Sequence, residues 1–457
     1  LSRRILDTLY LGVLALTILA GTPFVPFHGD EATQIYMSRD YAYQFIERDL
    51  ARVAYVDPAA GIPYSAQEQD LRLLNGTLNK YLIGLAWHIA GFTAVDLNEQ
   101  WDWGADWNYN QTTGHAPTPD LLQIARLPSA LLTAGGVVLM FALGVALGGR
   151  PVGYLAALSY TLHPTLLING RRAMMEGSLL FFALLAVWAG VWLLQSRGRK
   201  AGIVLGLAAG LALASKHTAI FTLAAVFAAC GLAICAQFVR GQRQLAARGW
   251  VSLCIAGGLA AITFLALNPA WWSDPAARAG DVLARRQALL DGQAAAFGGY
   301  PTAADALSGF IAHTLDARPQ YYEIAVWESY IGDQIAAYEA SFWDGIAPGD
   351  LSVSGVALGA ILVSVCIGIG VIALIRERDP QTSAARWIVG IWALAVTITT
   401  LAYTPLGWAR YYLLMQPILA LLIAVGIMSV IRRYAKNKRD DFPFPVGKGV
   451  SRQIDAE

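Results

Sequence analysis

Residues 9–31 read LYLGVLALTILAGTPFVPF and then HGDE. The first part carries no Asp, Glu, Lys or Arg and would be apolar on every side of a helix, which suits a bilayer better than one face of a soluble core. Crossing a ~30 Å hydrocarbon layer takes roughly 18–20 helical residues, and this run meets that length. It stops on two adjacent carboxylates, Asp30 and Glu31. Apolar runs recur at residues 121–147, 181–194, 218–238, 251–267, 353–375, 388–403 and 413–431. The chain is 56% hydrophobic and only 14% charged, against about 25% charged in a soluble domain. Surface must grow with volume, so one water-soluble core cannot hide this much apolar surface. The fold class that follows is an all-α integral membrane protein, a polytopic helical bundle of about ten spans.

Loop charge sets the expected topology. Two polar segments are long, 28–120 and 268–350, and the other connections are short. The first apolar run is read as a retained span, because Pro26-Phe27-His28-Gly29-Asp30 follows it rather than a small-residue cleavage site. With Arg3 and Arg4 in the cytoplasm and no new crossing before residue 121, the inner loops collect Arg150; Arg197, Arg199 and Lys200; Arg240, Arg243 and Arg248; and Arg376, Arg378 and Arg386. The C-terminal stretch adds Arg432, Arg433, Lys436, Lys438 and Arg439, while the short outer connections hold Arg171, Arg172, Lys216 and Arg410. That is the positive-inside bias. Both long segments then face outward. Residues 81–92 are apolar but short, with Trp87 and His88 in the middle, and are read as a helix lying in the outer interface. Amphipathic helices in 268–350 are read in the same way. The span at 201–214 is the shortest and needs Lys216 and His217 to snorkel. Residues 1–437 form one transmembrane domain, and 438–457 a cytoplasmic tail. The expected home is a plasma or inner membrane with the site facing outside, or the ER membrane in a eukaryote.

The net charge of +1 gives no argument for a nucleic-acid partner. Cys230, Cys235, Cys254 and Cys366 all lie in apolar runs, without metal-ligand spacing, and read as small buried hydrophobes. Asn75-Gly76-Thr77 and Asn110-Gln111-Thr112 match the glycosylation sequon. His163-Pro164 reads as a helix irregularity inside a span, and His88 as an interfacial anchor.

Asp30 and Glu31 sit at a membrane surface, where paired carboxylates cost solvation unless they bind something. Such a position suits a general base that must meet both a lipid-borne substrate and a soluble one. A polar cap that stops the span is the competing reading. Arg171, Arg172, Lys216 and Arg410 lie at outer span ends, where they either bind a lipid phosphate or snorkel.

Here the residues resemble a family. His28-Gly29-Asp30-Glu31-Ala32 with Tyr36, Arg39 and Asp40 is similar to the acidic motif that opens the first external loop of GT-C glycosyltransferases. The branch it resembles is the protein O-mannosyltransferases and the bacterial aminoarabinose transferases. Leu78-Asn79-Lys80-Tyr81-Leu82-Ile83-Gly84-Leu85, Ala125-Arg126-Leu127-Pro128, Asn169-Gly170-Arg171-Arg172-Ala173-Met174-Met175-Glu176, Ser215-Lys216-His217 and Arg410-Tyr411-Tyr412-Leu413 resemble further family segments in the same order. At the family's His-Pro-Pro positions this chain has Asn75-Gly76-Thr77, and Glu176 stands where the family has Asp. The resemblance implies transfer of a sugar, with mannose the default, from a polyprenyl-phosphate carrier to a hydroxyl of a protein, glycan or lipid acceptor. It implies Asp30 as base, with Glu31 helping to orient the site or to hold a divalent metal, to which His28 could add. Arg171, Arg172, Lys216 and Arg410 would face the donor phosphate, and Lys80, Glu176, His217 and Tyr411 would join the substrate contacts. The competing functions are a non-catalytic subunit with partners in a membrane complex, and a lipid or sugar transporter.

Overall fold

The computed structural model describes residues 2–57, 61, 65–346 and 358–440. Most of the expected tail at 438–457 lies outside them, as do the first residues of the run at 353–375 and the last of the segment 268–350. The described residues form helices and turns, without a strand. α1 (Arg3–Ala20) leads through a tight turn into α2 (Gly29–Met37), and the first long segment adds α3 (Ala66–Leu74) and α4 (Thr77–Ile89). Then come α5 (Pro119–Gly148), α6 (Arg150–Thr161), α7 (Pro164–Arg171), α8 (Glu176–Ser196), α9 (Arg199–Ser215), α10 (Ala219–Val239) and α11 (Arg243–Leu267). The second long segment holds α12 (Pro275–Phe297) and α13 (Ala303–Ile311), and α14 (Leu358–Arg376), α15 (Ser383–Tyr403) and α16 (Gln416–Asp440) complete the bundle.

Local chemistry sets these boundaries. The Thr118 hydroxyl accepts the Leu121 N–H at the start of α5, Pro119 occupies the first turn, and Gly149 ends the helix at φ 81°. Pro164 has no N–H to give, and it holds His163 extended at φ −76°, ψ 119°, which splits one apolar stretch into α6 and α7. α9 is only 17 residues long, yet it is anchored by close approach to α11. A Cβ on Gly202, Gly206 or Gly210 would stand 2.4, 2.7 or 2.7 Å from the carbonyls of Ser252, Ala256 or Ala260. Small residues every fourth position let two helix backbones touch where lipid offers no hydrophobic drive for association.

Seven helices among the described residues are long and apolar enough to cross a membrane. The other three expected spans are the bent α6–α7 pair, the short α9 and α14. α4 has 13 residues and is too short for a crossing, and it buries Lys80, Tyr81, Ile83 and Trp87 against its neighbours. One apolar core runs through α1, α5, α6, α8–α11, α15 and α16, while Val13, Leu16, Ile262 and Leu394 are each more than half exposed, as a lipid-facing surface requires. Neither sequon offers a free amide. Asn110 is fully buried and bonds the backbone of Asp102 and Asp106, and Asn75 donates to the Leu71 carbonyl.

Candidate active site

The site begins at the N-terminus of α2. His28 is extended (φ −135°, ψ 140°), and its Nδ1 accepts the Asp30 N–H at 3.0 Å. That bond assigns the ring proton to Nε2, which donates to Glu323 at 2.8 Å. Glu31 reaches back to accept the His28 N–H at 3.1 Å, completing a capping box. Asp30 and Glu31 are neighbours in sequence but about 100° apart around the helix, so they face different surroundings. Glu31 points inward. Arg126 of α5 grips it with two bonds of 2.8 and 2.9 Å, the Ala173 N–H adds a third at 2.9 Å, and no part of Glu31 is exposed. Asp30 is 29% exposed and pairs with Arg410. Burial raises the Asp30 pKa, but the Arg410 guanidinium outweighs it and holds the carboxyl below its ordinary range.

Arg410 sits in the helical turn Ala409–Met415 just before α16. Its Nε lies 3.1 Å from Glu323 but is not aligned for a hydrogen bond. Arg410 also lines a cavity of about 370 Å³, with Lys216, Arg286 and Tyr411 and with apolar walls from Leu179, Phe221, Val396 and Leu413. Lys216 is held by Glu176 at 2.6 Å. Arg286, on α12, makes no ion pair among the described residues, and burial moves its pKa below the ordinary value. The Tyr411 hydroxyl donates to Gln293 at 2.9 Å. Three cations therefore border one largely apolar space, and one of them touches Asp30. That is a geometry for an anionic headgroup on an apolar tail.

Several candidates sit elsewhere. Arg171 and Arg172, expected to face a lipid phosphate, are buried and do not line the cavity. Arg171 donates to the Ile18 and Thr17 carbonyls at 2.8 and 2.9 Å, which the end of α1 leaves unpaired, and also to Tyr338. Arg172 donates to the Pro26 and Tyr321 carbonyls at 3.1 and 2.6 Å. Both guanidiniums are spent on stapling the first loop and the 321–343 segment to the bundle. Lys80 is buried 2.6 Å from Asp40, which Arg72 also binds, away from the cavity. His217 packs against Phe264 and Trp271, and burial pushes its pKa down to about 4. Of the sequence candidates, Asp30, Lys216, Arg410 and Tyr411 come together, with Glu176 behind Lys216. Arg126, Arg286 and Glu323 carry no assigned role in the sequence reading. Among the described residues no group of three His, Cys, Asp or Glu side chains is arranged for a metal ion. Asp30 and Glu323 share a guanidinium at the point between them instead.

Residues 56–272 match the family model of dolichyl-phosphate-mannose-protein mannosyltransferases. The archaeal oligosaccharyltransferase AglB from Archaeoglobus fulgidus, solved with an inhibitory peptide and a dolichol-phosphate, aligns with a TM-score of 0.52 at 13% identity over 97% of this chain. The fold is that of the GT-C glycosyltransferases. This chain covers 53% of that AglB chain. Two more GT-C structures are similar at lower scores. The S. cerevisiae protein O-mannosyltransferase Pmt1-Pmt2 complex bound to the sugar donor gives a TM-score of 0.42 and 17% identity over 57% of this chain and 33% of that one. ArnT from Cupriavidus metallidurans bound to undecaprenyl phosphate gives 0.35 and 13% over 96% and 80%. No curated protein sequence matches the chain. Within the GT-C fold, the family match starts after Asp30 and ends before Arg286, Glu323 and Arg410, so the placement of these four rests on the structure alone.

Proposed function

We propose that the chain is a membrane glycosyltransferase that moves a sugar from a polyprenyl-phosphate carrier to an acceptor hydroxyl. The observation that carries this reading is the pairing of Asp30 with Arg410, one of three cations that line an apolar cavity. In the reaction, the acceptor oxygen attacks the anomeric carbon of the sugar, and its proton passes to an Asp30 carboxylate oxygen. The bond from that carbon to the phosphate oxygen breaks, and its electron pair leaves with the lipid phosphate. Attack opposite the leaving group inverts the anomeric centre. Lys216, Arg286 and Arg410 stabilise the charge that grows on the phosphate, which makes a separate acid unnecessary. The apolar walls take the first isoprenoid units.

Arg286→Ala and Lys216→Ala should each weaken donor use by about ten- to a hundredfold in kcat/KM, the worth of a charge-assisted contact. Arg171→Ala should impair folding instead of donor affinity. The check is transfer from a synthetic mannosyl-phospho-polyprenol in proteoliposomes. Unchanged donor dependence in Arg286→Ala and Lys216→Ala would remove the cavity as the phosphate site.

The site is placed on the outer face, with both termini inside, on the strength of the loop charges. Single-cysteine labelling at Ser196 and Ser308, both exposed, should react from opposite sides of the membrane. Reaction from one side would overturn this topology.

A further inference from the structure

Two of the three cations at the cavity, Arg410 and Lys216, are already paired within the protein. Arg410 is shared by Asp30 and Glu323, Lys216 belongs to Glu176, and Glu323 is itself fixed by His28 at 2.8 Å. An arriving phosphate must compete with these carboxylates. Resting on the donor site above, we infer that Glu323 is a positioning residue that draws Arg410 back from the lipid phosphate after transfer, and so drives release of the spent carrier.

The argument comes from the chemistry of the leaving group. The donor is a phosphodiester with one negative charge. Transfer makes it a monoester, with about −1.5 to −2 charge at neutral pH. Three cations therefore hold the product more tightly than the substrate, and release becomes the harder step. Glu323 is suited to oppose this. His28 holds one of its oxygens, so it cannot follow Arg410 toward the phosphate, and the other oxygen lies 3.1 Å from Nε without a hydrogen bond. That contact is an electrostatic pull without a directional lock. It leaves the guanidinium able to turn between carboxylate and phosphate. Asp30 holds the opposite edge through Nη1. A phosphate that takes Arg410 thus also uncovers Asp30, which leaves the base free only while donor is bound.

The inference gives an unusual sign. Losing one carboxylate should tighten the lipid-phosphate complex, whereas losing a structural partner would loosen it. Undecaprenyl phosphate binding is to be measured on the full chain in nanodiscs. Glu323→Gln should bind it up to about tenfold more tightly, on the scale of one partly buried ion pair. Donor KM and kcat should fall together, because product leaves more slowly. Glu323→Ala removes the same carboxylate without leaving a polar group in its place and should show the same gain, which covers the case that Glu323→Gln does not fold. Arg410→Ala combined with either substitution should erase the gain. Equal or weaker binding in the folded variants would overturn the role of Glu323 while leaving the donor site standing. No binding of undecaprenyl phosphate by the unaltered chain would overturn both.

Discussion

Asp30→Asn is expected to lower sugar transfer by about 10²–10⁴-fold, the usual contribution of a positioned general base. The amide keeps the size and shape of the carboxylate and can still accept a bond from Arg410. It cannot take a proton from the acceptor oxygen. Asp30 sits at the N-terminus of α2 with its backbone N–H already held by His28, so the replacement leaves the cap intact. The loss should therefore appear in kcat, with the donor still bound. The measurement is transfer from a mannosyl-phospho-polyprenol to an acceptor extract, with wild type and variant in the same membranes and undecaprenyl phosphate binding read in parallel. Equal rates in the two would remove Asp30 as base. No transfer by either protein across several donors, with the lipid phosphate still bound, would favour the non-catalytic subunit.

The spans were legible because length and lack of charge are local properties. The break between α6 and α7 was visible in His163-Pro164, whereas the helix that α9 meets through Gly202, Gly206 and Gly210 was not. The division of labour among the arginines was not legible. A guanidinium at a span end reads the same whether it meets a lipid phosphate or the unpaired carbonyls of another helix. What separates Arg171 from Arg410 is the position of Thr17 and Ile18, which the sequence around Arg171 does not contain. α12 shows this most plainly. It carries Arg278, Arg285 and Arg286 in one amphipathic pattern. Arg278 lies 3.7 Å over the Tyr55 ring, Arg285 pairs with Asp70, and only Arg286 lines the cavity. Their roles are set by partners more than two hundred residues away in the chain, or on a neighbouring helix. Asp30 and Glu31 divide for a local reason that could have been read. One helical step separates them by about 100°, so two adjacent carboxylates rarely share one environment.

Arg126→Ala is expected to destabilise the protein by about 3–5 kcal/mol, the cost of leaving a buried charge without its partner. Glu31 is fully buried and Arg126 is 2% exposed, so neither can turn to water. Without Arg126, the Glu31 carboxylate keeps only the N–H groups of His28 and Ala173. The His28 bond stays within the cap of α2 and the Ala173 bond reaches the turn before α8, so α5 would no longer share in the junction. Glu31→Gln should cost a comparable amount, since Arg126 would then be the buried charge left over. Replacing both, as Glu31→Gln with Arg126→Ala, should cost less than the sum of the two single changes, because neither partner is left as an unpaired charge. The reading is the apparent melting temperature of the three variants in detergent, beside their transfer rates. If Glu31→Gln melts like wild type yet loses transfer, Glu31 acts in the reaction itself and the structural assignment falls. If stability falls first, and the double variant regains both stability and transfer, then Glu31 serves by holding the turn that presents Asp30.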